Sequence, residues 1–177
     1  MKLIIRDAKI IDSKSPFHNK NVDILIVDGI IKKIGTALSS SENIEEIRLD
    51  NLHVSQGWFD SSVSLGEPGF EDRETIANGL NVAAKSGFTA VALQPNSFPT
   101  IDNQSQVNFV LNKAIGFATQ LYPIGALTKE SAGKDMAELF DMQKAGAVAF
   151  GDYNKSLSNA NLLKIALQYV QDFDGLT

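Results

Sequence analysis

A chain of 177 residues, 44% of them apolar and 21% charged, is long enough to bury a core and to hold one or two domains. Its net charge of -5, with no clustering of Lys or Arg, excludes the basic face that tracks nucleic-acid phosphates, and the lack of cysteine excludes disulfides and thiolate metal sites. The apolar opening meets Arg6 and Asp7 too early for a signal-peptide core and no membrane-spanning run follows, so a cytoplasmic protein is expected.

Residues 1–53 are rich in Ile and Val broken by turn residues. They predict short strands at 3–5, 9–11, 22–27, 30–34 and 45–49, and hence a small sandwich-like β-sheet domain. Asp28-Gly29 divides two of these runs and suits a two-residue type I′ hairpin, in which both central positions need positive φ. Residues 13–20 and 38–43 read as polar loops. His18 lies in the first loop and His53 just ahead of the next strand, 35 residues apart, too isolated to suggest a metal site.

From residue 54 the period changes, and 54–177 reads as four βα units forming the second domain. Strands at 54–60, 88–94, 121–126 and 148–151 alternate with helices at 73–85, 103–119, 134–144 and 158–171. Stripes such as Ile76, Leu80, Ala83 and Ala84, or Leu162, Ile165, Ala166 and Tyr169, mark the packed helix faces. Gly87 and Gly146 stand where two of the helices would end in a left-handed residue. Strands alternating with helices imply an α/β fold with a parallel sheet, open or closed into a barrel. No Gly-rich dinucleotide fingerprint follows any strand.

The first of these units carries the stretch that organises the rest. Asp60, Ser62 and Ser64 alternate with Ser61, Val63 and Leu65, so Ser62 and Ser64 share a face, and Gly66-Glu67-Pro68-Gly69 closes the strand. No histidine nearby can act as general base for these serines, which argues against a nucleophile. The stretch resembles the first barrel strand of the dihydroorotases, in the amidohydrolase superfamily, whose pattern is Asp-x-His-x-His-x-Arg-Glu-Pro-Gly. Asp60, Glu67, Pro68 and Gly69 match, while Ser62 and Ser64 stand at the metal-binding histidines and Gly66 at the substrate-binding arginine. Three further stretches are similar to the same family. Residues 87–99 follow its Gly-Phe-Thr-Thr-Val-x-x-Met-Pro-Asn-Thr-x-Pro, residues 147–154 its Ala-Val-Ala-Phe-Ser-Asp-Asp-Gly, and residues 28–35 a segment common to amidohydrolases.

The resemblance implies a (β/α)8 TIM-like barrel, of which four units are the first half, with the family's next strand expected after Thr177. In that barrel Val91, Leu93, Val148 and Phe150 are expected to face the interior. It implies a substrate contact at Asn96, whose carboxamide both donates and accepts; the plainer reading is a turn residue between Pro95 and Pro99. Asp152 is a remnant of the family's metal-ligand aspartates or a loop hydrogen-bond partner, with Tyr153 in place of the second aspartate. Asp60 is open to the same plain reading.

Metal chemistry in this family needs converging imidazoles, for which serine hydroxyls are poor substitutes. The expectation is therefore a dihydroorotase-like chain of pyrimidine biosynthesis with no catalytic residues intact and no cofactor. Its fold would be retained for assembly in an oligomer, with aspartate carbamoyltransferase as the partner and neither nucleic acid nor membrane involved. The alternatives are an active cyclic-amide hydrolase that takes zinc through ligands from beyond residue 177 or from another chain, and a binding protein that reuses the barrel mouth.

Overall fold

A computed structural model describes residues 1–39 and 44–177, so part of the loop expected at 38–43 lies outside the described residues. The chain divides into two compact units, Met1–Gln56 and Gly57–Thr177.

The first unit is one sheet of five strands: β1 (Lys2–Ile11), β2 (Asn21–Val27), β3 (Ile30–Gly35), β4 (Glu45–Ile47) and β5 (His53–Ser55). β1 joins the two short strands expected at 3–5 and 9–11. Arg6 and Asp7 interrupt its apolar pattern without ending it, because the register shifts between Ile5 and Ala8 and Asp7 takes a positive φ of 52°. β2 and β3 pair antiparallel through Asp28 and Gly29, at φ 51° and 77°, the hairpin expected from that dipeptide. β4 and β5 lie parallel to the two ends of β1. Ile10, Val22 and Ile24 form the core with Phe17, Ile26, Ile34 and Val54 packed on it.

One polar network crosses this unit. The Asp23 carboxylate accepts from Arg6 at 2.9 Å and from the Asp7 and Leu38 amides at 3.0 Å each, while Arg6 also reaches Glu46 at 2.6 Å. Burial pushes the Asp23 carboxyl up, but the two amides and the guanidinium outweigh it and hold the group below its ordinary range.

In the second unit β6 (Trp58–Val63), β7 (Phe88–Leu93), β8 (Gln120–Gly125) and β9 (Ala149–Phe150) pair in that order, all parallel, as a curled half-barrel. Helices α1 (Ile76–Lys85), α2 (Gln104–Lys113), α3 (Leu139–Ala145) and α4 (Ala160–Gln171) follow the strands one by one. The single strand expected at 54–60 is two, β5 and β6, one in each unit. Trp58 and Phe59, on the edge strand β6, are 65% and 56% exposed.

Three helices start later than their periodicity suggests. Thr75 accepts from the Asn78 amide and Asn159 from those of Asn161 and Leu162, each cap setting the first helical residue after it. Residues 134–138 are not helical because Met136 pairs with Thr128 across a loop that holds the 3-10 turn Lys129–Ser131. α2 stops at Lys113 rather than near 119, since Gly116 turns left-handed and Thr119 donates to the Phe88 carbonyl. Gly87 and Gly146 do take positive φ after α1 and α3.

The core lies between sheet and helices. Val91, Leu93 and Phe150 pack there against Ile76, Leu80, Val107, Val110 and Met142, not in a barrel interior as expected, and Val148 is 42% exposed. In α4 the buried residues are Ala166 and Val170, whereas Ile165 and Tyr169 of the expected stripe are exposed. Phe173 supplies the missing contact by packing edge-on against Tyr169 and Phe150.

Candidate functional site

The loops at the carboxyl ends of the four strands bring the chemistry-bearing residues together. β6 enters this end with an irregularity: Asp60 pairs with Val91 and Val63 with Leu93, so Ser61 and Ser62 both stand against Ala92. Asp60 is thereby turned toward α1, where it lines a recess of about 240 Å3 with Leu65 and Glu74, and its Oδ1 accepts from the Ser62 amide at 3.0 Å.

Ser62 and Ser64 are each held by the segment that follows β7. Gln94 Nε2 donates to Ser62 Oγ at 3.1 Å, and Asn96 Nδ2 donates to Ser64 Oγ at 2.6 Å. Asn96 Oδ1 is closed off from solvent and takes no hydrogen bond. The sequence reading missed Gln94. Its signal was available, because Gln94 stands where the quoted family pattern has Met.

The turn after β6 is folded back on itself. The Gly66 amide donates to the Glu74 carbonyl at 2.9 Å, and the Gly66 carbonyl accepts from the Phe70 amide at 2.8 Å. A Cβ at Gly66 would fall 1.9 Å from the Phe70 carbonyl oxygen and 2.8 Å from that of Glu74. The position of the family's arginine is thus filled by backbone. Glu67, 7% exposed, anchors this turn by accepting from the Ile76 amide at 3.0 Å and pairing with Lys113 at 2.7 Å. Hydrogen bond and charge from Glu67 hold the Lys113 ammonium above its ordinary range, while the Gly69 amide holds the Glu71 carboxyl below its own.

The three remaining loops are tied to one another. Both Asp152 carboxylate oxygens are taken by Thr128, one by its amide and one by its hydroxyl, and that same hydroxyl accepts from the Gly133 amide. Asp152 is a loop hydrogen-bond partner here. Asp102 accepts from the Glu130 amide at 2.9 Å, and Lys155 donates to the Glu130 carbonyl at 3.3 Å. Together with Asn96, Phe70, Phe98 and Tyr153 these residues enclose a cavity of about 600 Å3.

These donors do not suit a metal ion. Asp60 and Asp152 are spent on amides and a hydroxyl, the serines on carboxamides, and both histidines lie in the first unit, His18 accepting from the Asp12 amide and His53 beside the Asn51 carbonyl. Among the described residues, no three His, Asp or Glu side chains gather as a metal would require.

Solved structures share the fold. The L-hydantoinase of Arthrobacter aurescens superposes with a TM-score of 0.75 at 18% identity over 98% of this chain and 39% of its own, and a crystal structure of a dihydroorotase with 0.68 at 13% over 98% and 49%. The fold is that of the amidohydrolase TIM barrels, in its first half. Residues 53–175 match the Dihydro-orotase-like family, and proteins named dihydroorotase from Ruminiclostridium cellulolyticum and Pelotomaculum thermopropionicum are 40% and 41% identical over 98% and 96% of the chain. The chain belongs to the dihydroorotase-like family. It spans about two fifths of the length of these curated relatives, 40% and 39% respectively. No described helix is long and apolar enough to cross a membrane.

Proposed function

We propose that this chain is a pseudoenzyme of the dihydroorotase-like family, without metal-dependent hydrolysis of a cyclic amide and kept for assembly in the cytoplasm, with aspartate carbamoyltransferase as its partner. The observation that carries this reading is the pair of hydrogen bonds from Gln94 to Ser62 and from Asn96 to Ser64, at 3.1 and 2.6 Å. At the two places where the family sets imidazoles for a metal, neutral hydroxyls are engaged with the segment after β7, and the arginine position is closed by backbone at Gly66. Frame residues Glu67, Pro68 and Gly69 remain, which fits retention of the fold.

A second reading, an active zinc-dependent hydrolase, is favoured by the 40% identity to a protein named dihydroorotase. Turnover of dihydroorotate in zinc-containing buffer separates the two. The proposal expects none, with co-purification of aspartate carbamoyltransferase surviving Asn96→Ala. Turnover abolished by Asn96→Ala would replace it with the active reading, and failure to associate would remove the assembly role.

A further inference from the structure

We infer that the rim formed by the 66–73 turn and the 96–99 loop is a protein-docking surface, on which a partner anchors through an arginine side chain set between the Phe98 ring and the Glu130 carboxylate. The inference rests on the reading of this chain as an assembly protein and adds the surface used and the chemistry of the partner that fits it.

The rim is built from two loops fastened to each other. The Phe98 amide donates to the Pro68 carbonyl at 2.9 Å. Gly69, at φ 94°, lies so close to Phe98 that a Cβ there would fall 2.0 Å from its carbonyl oxygen. The Gly69 amide in turn donates to Glu71 Oε1 at 2.9 Å. On this fixed backbone Phe98 is 71% exposed and Phe70 43%. Large aromatic side chains held out on an ordered backbone lose little freedom on binding, which is what an interface anchor requires.

One of the two rings already takes a guanidinium. Arg73 Cζ lies 5.5 Å from the centre of the Phe70 ring, and Nη2 donates to the Leu65 carbonyl at 3.0 Å. Among the described residues no cation lies over Phe98, the more exposed of the pair.

The charge around these rings complements a cation. Glu71, Asp72, Asp102 and Glu130 stand against Arg73 and Lys155, and Lys155 already donates to the Glu130 carbonyl at 3.3 Å. Lys129 adjoins Glu130 in sequence but does not line the cavity, and Lys113 is spent on Glu67 at 2.7 Å. Asp102 accepts from the Glu130 amide and from the Asn103 carboxamide, each at 2.9 Å. The Glu130 carboxylate itself makes no hydrogen bond or ion pair among the described residues, while its backbone is fixed at both amide and carbonyl. It lines the same cavity of about 600 Å3 as Phe98. A guanidinium stacks its flat face on an aromatic ring while its edge donates in a fork to a carboxylate, a combination that a lysine ammonium does not reproduce. An anionic anchor would be repelled by the surplus of negative charge.

The test has two arms. In the first, amide shifts of the 15N-labelled chain are followed on titration with acetyl-arginine methylamide, with the citrulline and lysine counterparts as the uncharged and the unforked controls. Arginine is expected to shift residues 70–73, 98–102, 130 and 153–155 and to bind about tenfold or more tightly than citrulline, less tightly with added salt and with Glu130→Gln or Phe98→Ala. Both side chains are exposed, and unchanged spectra of the free variants away from the substituted residue show that they fold. In the second arm, association with aspartate carbamoyltransferase is expected to survive Asn96→Ala and to weaken by about tenfold or more with Phe98→Ala. Equal binding of citrulline or lysine, a lack of shifts, or shifts confined to other residues overturns the inference. Association that Phe98→Ala leaves intact also overturns it, while keeping the assembly reading. Absence of association by the unaltered chain removes the assembly reading, and the arginine titration then decides the inference by itself.

Discussion

Gln94, just past the end of β7, donates its side-chain amide to Ser62 of β6 at 3.1 Å, so that two positions which depart from the family pattern are partners of each other. A metal ion normally draws such strand ends together through its ligands; here a carboxamide and a hydroxyl do so. The exchange is coupled: Ser62 alone would leave an unengaged hydroxyl, and Gln94 alone would face an imidazole.

The coupling sets an expectation for metal. After dialysis the chain should hold far less than one zinc per molecule, and Asp152→Asn should not change the figure, since Asp152 is engaged with Thr128. Ser62→His with Ser64→His should raise zinc affinity further when Gln94→Met is added, because the carboxamide no longer competes for the introduced ring. Elemental analysis reads the stoichiometry; about one zinc per unaltered chain would contradict the pseudoenzyme reading.

Gly66→Ala should destabilise the second unit by roughly 3 kcal/mol or more, since the atom that must move is backbone rather than a flexible side chain. Gly66→Arg should for the same reason fail to create a carboxylate site. Urea unfolding followed by Trp58, the chain's single tryptophan and a member of the second unit, measures the loss of stability in both variants. A change within about 0.5 kcal/mol would show that the turn yields easily.

Glu67 and Lys113 should respond unequally to truncation. Lys113→Met removes the half-exposed partner of the pair and should cost little, because solvent screens it. Glu67→Ala strips a buried acceptor from the Ile76 amide and also from Lys113, and should cost about 1–3 kcal/mol. Equal costs would mean that the ion pair, rather than the anchoring of α1, carries the contribution.

Asp23 makes the first unit acid-sensitive. Its folded carboxyl lies below the ordinary value of 3.8, so the stability it contributes is fully present above that pH. That stability is lost as pH falls through the lower folded value. Asp23→Asn should remove this dependence and cost about 1–3 kcal/mol near neutrality, because Arg6 would keep only Glu46 and the Leu38 carbonyl. Amide exchange in β1 and β2 against pH measures it, and an unaltered acid limb in the variant would contradict the assignment.

The fold was legible wherever a local rule governs the outcome. Asp28-Gly29 announced its hairpin, Gly87 and Gly146 the ends of two helices, and the alternation of strand and helix the parallel sheet. Helix starts were misplaced where a side chain decided them, as at Thr75 and Asn159, because a cap overrides the periodicity of the residues before it. The burial of Val91 and Leu93 against the helices was hidden because a strand buried on both faces has no polar alternation to orient it. At the site, the serines could be read as departures from a pattern. Gln94 could be read as a departure too, but neither its bond to Ser62 nor the backbone filling Gly66 could, since both are relations between residues about 30 and 4–8 positions apart that only the register and the turn create.

The ties from Asp102 to Glu130, from Glu130 to Lys155 and from Asp152 to Thr128 bear on how this end of the sheet can be re-engineered. All three ties run through the 126–138 loop, so that loop grafted singly from a relative would arrive without its counterparts and leave two others unmoored. Transplanting segments 64–75, 95–103, 126–138 and 151–159 as one cassette keeps each of these ties with its own partner, together with those from Asn96 to Ser64 and from the Phe98 amide to the Pro68 carbonyl.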